Sequence, residues 1–356
     1  MPQLPYVTLN VFTTQPLTSG NPLAVVTIPP NTTISKTQEH LIAREFGYSE
    51  TIFIYPSSSL RPEQQNEGYT KIAIWTVAQE IPFAGHPTVG AGWVLGEEKK
   101  EGEILIPAGR LKYEKDVNGR VRIDTPHKVT LWGRTVSKQR IGEVIGLPYE
   151  AFGNDEEKVF ENSTVGVAHA KDVFVKAGDE DGWDVNGIPV VSIVDGMTFA
   201  LVEVKSVSVL QALKVGRKDV VLDMVNDLGA VIPPGGRSFI GVYCYTILEE
   251  DVRDGKGTVK VRSRMFFRGD GEDPATGSAA CALGSYLGIV KGSAAAGDKG
   301  VGEWEFEVTQ GVEMGRRSDI GVRVLLDEVD GEGRRGVRKV YLEGEAVKVM
   351  EGVLTV

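Results

Sequence analysis

The stretch that decides the fold is Pro82-Phe-Ala-Gly-His-Pro-Thr-Val-Gly-Ala-Gly-Trp-Val-Leu95, which follows an apolar segment, 71–76, that predicts a strand. Pro87 suits the first turn of a helix, because its missing N–H group would have no intrahelical partner there. We therefore predict that a helix begins here with His86 as its N-cap residue.

A second stretch of the same form lies far along the chain. It reads Glu272-Asp-Pro-Ala-Thr-Gly-Ser-Ala279 and follows a strand predicted over 259–267. By the same reasoning we predict a long helix that ends near Leu287, with Asp273 as its N-cap residue and Pro274 as its first residue. The two stretches share the pattern x-Pro-x-x-Gly-small. This internal echo predicts two related halves, each of which presents the N-terminus of one helix.

Helix N-termini of this kind can bind anions. The first N–H groups of a helix have no internal partner, and the aligned peptide dipoles add roughly half a positive elementary charge. Such an end holds a carboxylate or a phosphate without help from Lys or Arg. Gly90 and Gly277 would let the backbone come close to a ligand or to a neighbouring helix. The alternative is that these glycines serve only tight packing.

Glu50 stands out among the acidic residues. It lies at the start of a strand predicted over 49–55, and the two-residue period of a strand puts it on one face with Ile52 and Ile54. Burial beside those side chains would raise the pKa of the carboxyl group, and a general acid or base works best with a pKa near the working pH. The alternative is a surface glutamate, which is how most glutamates occur.

Apolar runs predict the other strands, and capping signals predict the other helices. Strands are predicted over 6–12, 23–28, 102–106, 111–115, 121–124, 190–194, 199–204 and 239–248, with two more over 337–356. Helices are predicted after a capping box at 35–38, ending at Gly47, and over 208–213 and 218–226.

Composition excludes several classes of protein. The chain has 356 residues, 25% charged and 41% apolar, which predicts two globular domains. A net charge of −10 without a long basic run argues against nucleic-acid and membrane partners. No segment approaches the ~20 apolar residues of a membrane helix, and the N-terminal residues lack the pattern of a signal peptide. We expect a cytoplasmic protein.

Metal and cofactor sites lack their usual signatures. Cys244 and Cys281 are too few for a disulfide framework or a thiolate metal site, and the four histidines are scattered. Neither a phosphate-binding loop nor a dinucleotide-binding glycine motif is present. We expect neither a metal nor an organic cofactor.

Five motifs, in one order along the whole chain, make the sequence similar to the PhzF-like isomerase family of phenazine biosynthesis. They occupy 10–13 with 20–26, 43–51, 82–88, 272–279 and 310–316. The section 130–235 matches loosely, and we expect insertions near 140–190 and 291–303.

The resemblance implies the fold of diaminopimelate epimerase. This α/β (α+β) fold has two pseudo-symmetric domains, each a curled, mostly antiparallel sheet around a central helix, with the active-site cleft between them. On that basis we expect an N-terminal domain over 1–128, a C-terminal domain over 129–339, and strands over about 340–356 that return to the first domain. The family also implies a homodimer.

The resemblance assigns roles to seven residues by their motif positions. They are Glu50, His86 and Asp273 as catalytic groups, with Asn21, Gly85, Gly277 and Ser278 as substrate-binding groups. Simpler interpretations stay open: His86 is a simple N-cap residue or a histidine bonded to the backbone, Asp273 is an N-cap residue by type, and Ser278 is a small helix residue. The nearby helix N-terminus disfavours a charged imidazole, so we expect His86 to be neutral.

The implied function is cofactor-independent isomerisation, in which acid–base groups move a proton on a small cyclic or amino-acid-like carboxylate. The reaction typical of the family isomerises trans-2,3-dihydro-3-hydroxyanthranilate. Related epimerases and proline racemases use one cysteine at each helix start, and those positions hold no thiol here. There are two alternatives. One is an amino-acid epimerase or racemase without catalytic thiols, and the other is a non-catalytic ligand-binding or scaffold protein of the same fold. Trp75, where the family more often has Phe, is expected to alter the pocket.

Overall fold

The first part of the chain wraps strands around one central helix. The computed structural model describes residues 2–56, 68–145, 187–214, 222–231, 239–267, 271–294, 301–328 and 335–356. The strands here are β1 (Gln3–Val11), β2 (Asn21–Thr27), β3 (Glu50–Tyr55), β4 (Tyr69–Trp75), β5 (Glu101–Ile106), β6 (Gly109–Lys115) and β7 (Val121–Asp124). The helices are α1 (Lys36–Phe46) and α2 (Gly85–Glu98).

The second part builds a similar unit. Its strands are β8 (Thr130–Leu131), β9 (Val190–Val194), β10 (Met197–Glu203), β11 (Leu222–Asp223), β12 (Phe239–Arg253), β13 (Lys256–Phe267), β14 (Gly271–Asp273), β15 (Glu303–Gln310), β16 (Ser318–Leu326), β17 (Val337–Gly344) and β18 (Ala346–Thr355). Its helices are α3 (Lys138–Ile145), α4 (Val207–Ala212) and α5 (Gly277–Ala294).

The strand pairing repeats in the two halves. From β1 to β7, consecutive strands pair antiparallel, parallel, antiparallel, parallel, antiparallel and antiparallel. The order β9, β10, β12, β13, β15, β16, β17 gives the same six relations. Both parallel steps in each half cross over through a helix. The predicted fold class, with two similar curled sheets, is confirmed.

The end of the chain links the two halves. Strand β17 pairs with β16 on one side and with β7 on the other, and β18 then pairs antiparallel with β1. The last strands therefore contact the first half, whereas the residue bounds of the two domains stay a prediction.

The central helices are buried because small residues let the sheets approach them. Gly90 in α2 is one example: a Cβ atom there would lie 2.3 Å from the side chain of Leu23. In α5 the residues from Ala279 to Leu283 have no exposed surface. A helix that is apolar on all sides belongs in a core. Among the helices that the structure describes, none is both long and apolar enough to cross a bilayer.

The starts of the two central helices differ from the predicted ones. Helix α2 begins at Gly85 after Ala84, whose backbone is extended, so the prediction of His86 as N-cap was wrong. Pro87 fits because any position of the first turn tolerates the missing N–H. Helix α5 begins only at Gly277, since Asp273 still pairs with Met265 in the sheet. Asp273 is therefore not an N-cap residue.

Two further predictions need correction or fall outside the described residues. The helix predicted over 218–226 is wrong where the structure describes it, because Leu222–Asp223 is a strand followed by a turn. The Asp223 carboxylate accepts hydrogen bonds from the N–H groups of Val225 and Asn226, which favours that turn over a helix. Residues 146–186, most of the first expected insertion, and residues 295–300, about half of the second, lie outside the described residues.

Candidate active site

The N-termini of α2 and α5 meet. A Cβ atom added to Gly85 would lie 2.8 Å from the Cα atom of Gly277 and 2.8 Å from the backbone nitrogen of Ser278. Only a hydrogen atom fits between the two backbones at this point. No side chain caps the first turn of α2. The positive ends of two helix dipoles therefore converge at one place, with Ser278 buried beside them.

Glu50 lies beside this junction. Parallel pairing of Glu50 with Leu23 brings the starts of β2 and β3 to the same edge of the sheet. The Glu50 side chain is 18% exposed, and its Oε2 atom lies 3.5 Å from Nδ1 of His86. Ile52 and Ile54, on the same face, are buried in the core. The carboxyl group thus lies at the edge of an apolar interior, as its place in the strand predicted.

Asn21 joins the site residues of both halves. Its Nδ2 group donates hydrogen bonds to Oδ1 of Asp273 at 2.8 Å and to the carbonyl of Ala275 at 3.0 Å, and it lies 3.3 Å from Nδ1 of His86. The Oδ1 atom of Asn21 accepts from the hydroxyl of Ser49 at 3.4 Å. The amide has two hydrogens for three acceptors, and its two shorter contacts are those to Asp273 and Ala275.

Asp273 is held at the end of β14 by donors from three directions. Besides Asn21, the Thr276 hydroxyl donates to Oδ2 at 2.6 Å and the Ala275 backbone also donates. Burial raises the pKa of Asp273 to about 6, while these hydrogen bonds oppose the rise. The three residues proposed as catalytic, Glu50, His86 and Asp273, therefore surround one place at the helix junction, with Asn21 between them.

Burial shifts the pKa values of Glu50 and His86 in opposite directions. It raises the pKa of Glu50 to about 8, with a further contribution from the negative charge of Asp273. It lowers the pKa of His86 to about 3, only partly offset by the Pro22 backbone. At neutral pH Glu50 therefore keeps its proton for most of the time, and Asp273 is mostly ionised. His86 is neutral, as predicted, although the cause is burial and not the helix end.

Two residues that hold parts of the proposed site in place were missed by the sequence reasoning. Arg316 donates hydrogen bonds to the carbonyls of Gly20 at 2.8 Å and Ser19 at 2.9 Å, and thereby fixes the loop that presents Asn21. Gln310 contacts the turn that follows Asp273. Both lie in the motif over 310–316, but their partners are distant in sequence, 297 residues in the case of Ser19. No local pattern could identify such partners.

Three further residues, Trp75, Arg264 and Cys281, lie outside the site. Trp75 faces away from it, since its Nε1 donates to Glu39 under α1, so the expectation that it alters the pocket was wrong. Arg264 forms a buried ion pair with Glu272 at 2.8 Å. Cys281 is fully buried, and burial raises the pKa of its thiol to about 12, which makes it unreactive.

No metal centre is evident at this position. Within the ranges that the structure describes, no three His, Cys, Asp or Glu side chains converge in the manner of metal ligands. The junction instead offers one mostly protonated carboxyl group, one carboxylate, a neutral imidazole and two helix ends. These groups suit proton transfer on a bound anion.

Comparison with known proteins places the chain among relatives of matching length. An uncharacterized isomerase of Mesorhizobium japonicum is 30% identical over 357 residues, which cover 98% of each chain. The trans-2,3-dihydro-3-hydroxyanthranilate isomerase of Pseudomonas aeruginosa is 36% identical over 101 residues, or 28% of this chain and 33% of that protein.

Solved structures and the family profile agree with these relatives. A PhzF-family phenazine biosynthesis protein of Bacillus anthracis has the same fold, with a TM-score of 0.67 over 100% of both chains at 20% identity. The sequence profile of the PhzC-PhzF family, described as phenazine biosynthesis-like protein, matches residues 9–143 and 159–352. The resemblance read from the motifs is confirmed, and the chain belongs to the phenazine biosynthesis-like PhzC-PhzF family.

Proposed function

We propose that the protein is an acid–base isomerase in which Glu50 moves a proton between two carbon atoms of one small carboxylate substrate. The observation that carries this proposal is the contact of Glu50 with His86 beside Asn21 and Asp273, at the junction of two helix N-termini. Isomerase chemistry is also the class named for the relatives from Mesorhizobium japonicum and Pseudomonas aeruginosa.

The protonation states support a proton shuttle. With pKa values of about 8 for Glu50 and about 6 for Asp273, the pair holds one proton between these two pH values. In its ionised form Glu50 takes a proton from one carbon, and the electron pair of that C–H bond shifts into the conjugated substrate. Glu50 then returns the proton to a second carbon on the same face. Both steps need a group whose pKa is close to the working pH.

Neighbouring groups have supporting roles in this proposal. The Nδ1 atom of His86 lies 3.5 Å from Glu50, and the lowered pKa of His86 keeps its ring uncharged beside that carboxyl group. Asp273 and Asn21 orient the substrate and hold the two halves in register around it. The N–H groups near Gly85, Gly277 and Ser278 bind the substrate carboxylate, because both helix dipoles are positive there.

The substrate class follows from the same geometry. The proposed site residues supply no cation, so the carboxylate depends on backbone N–H groups, and a cyclic or amino-acid-like molecule matches the reaction named for the Pseudomonas aeruginosa relative. Cofactor independence, a homodimer and a cytoplasmic location belong to the same proposal.

The test compares Glu50→Gln with Glu45→Gln, an exposed glutamate on α1. The wild-type protein is incubated in deuterated water with trans-2,3-dihydro-3-hydroxyanthranilate and a panel of cyclic amino-acid-like carboxylates, and NMR follows the exchange of carbon-bound protons. We expect Glu50→Gln to lower the exchange rate by about 10²–10⁴-fold and to keep binding, while Glu45→Gln matches wild type. Equal rates in all three proteins would remove Glu50 from the mechanism. Exchange with inversion at an α-carbon would favour the epimerase alternative, and binding without exchange the scaffold alternative.

A further inference from the structure

Gln310 lies fully buried at the end of β15, and its side chain contacts both ends of the turn that follows Asp273. Its Nε2 group donates to the backbone carbonyl of Asp273 at 2.7 Å and to the Thr276 hydroxyl at 3.1 Å. Its Oε1 atom accepts from the backbone N–H of Thr276 at 3.2 Å and from the Tyr243 hydroxyl at 3.2 Å.

These four contacts use the whole hydrogen-bonding capacity of the amide. A glutamine side chain offers two N–H donors and an oxygen with two lone pairs, and each has one partner here. The orientation is fixed, because a flipped amide would turn its NH₂ group towards the N–H of Thr276. The buried hydroxyl of Ser263 forms a hydrogen bond with the Tyr243 hydroxyl at 2.9 Å and so helps to hold Tyr243 in place. A buried network in which every group is satisfied is rigid.

The turn that Gln310 holds determines where the Asp273 carboxylate points. The Thr276 hydroxyl donates to Oδ2 of Asp273, and it can do so only while the backbone of Thr276 stays close to that of Asp273. The other carboxylate oxygen accepts from Asn21, which belongs to the opposite half of the chain. A shift of the turn would weaken both contacts together. We propose that Gln310 is a positioning residue that holds the Asp273 carboxylate in place through the turn from Asp273 to Thr276.

The proposal depends on the proposed function only for its effect on turnover, since the geometry of Asp273 can be measured without a substrate. The titratable groups that act on Asp273 are Glu50 on β3, Tyr243 on β12 and the adjacent Glu272. The hydrogen bonds from Thr276 and Asn21 keep the pKa of Asp273 below the value that burial alone would give. Loss of the hydrogen bonds between Gln310 and the turn should therefore raise that pKa above about 6.

The experiment is a pH titration of the full-length protein labelled with ¹³C at the aspartate carboxyl groups. The Asp273 signal is identified by its absence in Asp273→Asn. Two variants are titrated: Gln310→Met keeps the length of the side chain without hydrogen bonds, and Gln310→Asn keeps the amide but is one methylene shorter. Ser192→Ala is the control, because it removes a buried hydroxyl that bonds to Trp132 and Thr198 and to no site residue.

We expect the pKa of Asp273 to rise by about 1 in both Gln310 variants and to stay at its wild-type value in Ser192→Ala. A wild-type pKa of Asp273 in a folded Gln310 variant would overturn the proposal. Gln310→Asn keeps the test decisive if Gln310→Met does not fold. If the pKa of Asp273 rises as expected but wild type exchanges no substrate protons, the positioning role stands and the proposed function fails.

Discussion

Glu50 differs from an ordinary surface glutamate because it lies beside both an apolar surface and a second carboxyl group. The apolar face that it shares with Ile52 and Ile54 removes water from its carboxyl group, and Asp273 adds a negative charge nearby. Both effects disfavour the ionised form. The same burial that prepares the group for proton transfer must therefore weaken the folded state at high pH, and this consequence can be measured without a substrate.

We expect Glu50→Gln to stabilise the protein increasingly as pH rises. A carboxyl group with a raised pKa favours the folded state fully below the unfolded pKa of 4.5, and it loses that advantage as pH rises towards about 8. The uncharged amide has no such penalty. Between about pH 5 and about pH 9 the gain in the free energy of unfolding should grow by on the order of 3 kcal/mol. Urea denaturation of both proteins across this range measures it.

Glu45→Gln is the matched control, since an exposed carboxyl group has similar surroundings in both states and its removal should have an effect that is nearly independent of pH. A pH-independent difference between Glu50→Gln and wild type would mean that the Glu50 carboxyl group is not held in an apolar environment in solution.

At the residue scale the sequence could predict chemistry but not partners. The two-residue period of a strand identified the face of Glu50, and the helix end indicated a neutral His86. The contact between Asn21 and Asp273 joins residues 252 positions apart, and nothing near either residue encodes it. Only the paired sheets bring these side chains together.

The helix starts show why boundaries are harder to predict than elements. Pro87 and Pro274 both indicated that a helix begins nearby, and both helices exist. A proline is compatible with several positions near a helix start, however, so it does not fix the first residue. In the fold, Gly85 and Gly277 are the first residues of the two helices. The repeated sequence pattern had instead aligned His86 with Asp273. The second helix begins later than predicted because strand β14 extends to Asp273. A strand of three residues is too short to show a periodic pattern in the sequence.

We expect Gly85→Ala to destabilise the protein although alanine is the better helix former. Propensity favours alanine by at most about 1 kcal/mol within a helix. The new Cβ atom would lie 2.8 Å from backbone atoms of Gly277 and Ser278, which cannot rotate away, so the helix ends must separate. Such overpacking costs about 1–3 kcal/mol and should prevail. Gly302→Ala is the control, because no atom lies within 4 Å of its added Cβ.

Thermal and urea denaturation of both glycine variants measure the difference. A Gly85→Ala protein at least as stable as Gly302→Ala would show that the two helix ends do not touch in solution, and the shared carboxylate site would lose its basis.

At the scale of the whole molecule the sequence predicted two halves but not how they join. A seven-residue echo indicated the repeat, because it lies at the most constrained part of each half. The six matching strand pairings use backbone hydrogen bonds, which leave little trace in side-chain identity. The link from β17 to β7 could be expected only from the family resemblance, for the same reason.

The way in which the halves join predicts how the protein unfolds. Two-domain chains of this size often unfold in separate steps, because the interfaces between domains are modest and polar. Here the sheets are continuous through two strand pairs, β7 with β17 and β1 with β18. Arg316 and Asn21 add hydrogen bonds between the halves. Loss of the first half would leave strand edges unpaired and would remove the Asn21 hydrogen bond from the buried Asp273. We therefore expect a single cooperative transition.

Fluorine NMR of protein labelled with fluorotryptophan tests this, with Trp93 in α2 and Trp304 in β15 as reporters of the two halves. Both native signals should disappear at the same urea concentration. Arg316→Met removes hydrogen bonds between the halves and should lower that concentration for both signals, whereas Arg317→Met removes only an exposed ion pair with Asp319 and should change the stability by less than about 0.5 kcal/mol. If Trp93 lost its native signal well before Trp304 in the wild-type protein, the halves would be thermodynamically separate. A site that needs Asn21 from one half and Asp273 from the other would then form only when two independently stable units dock.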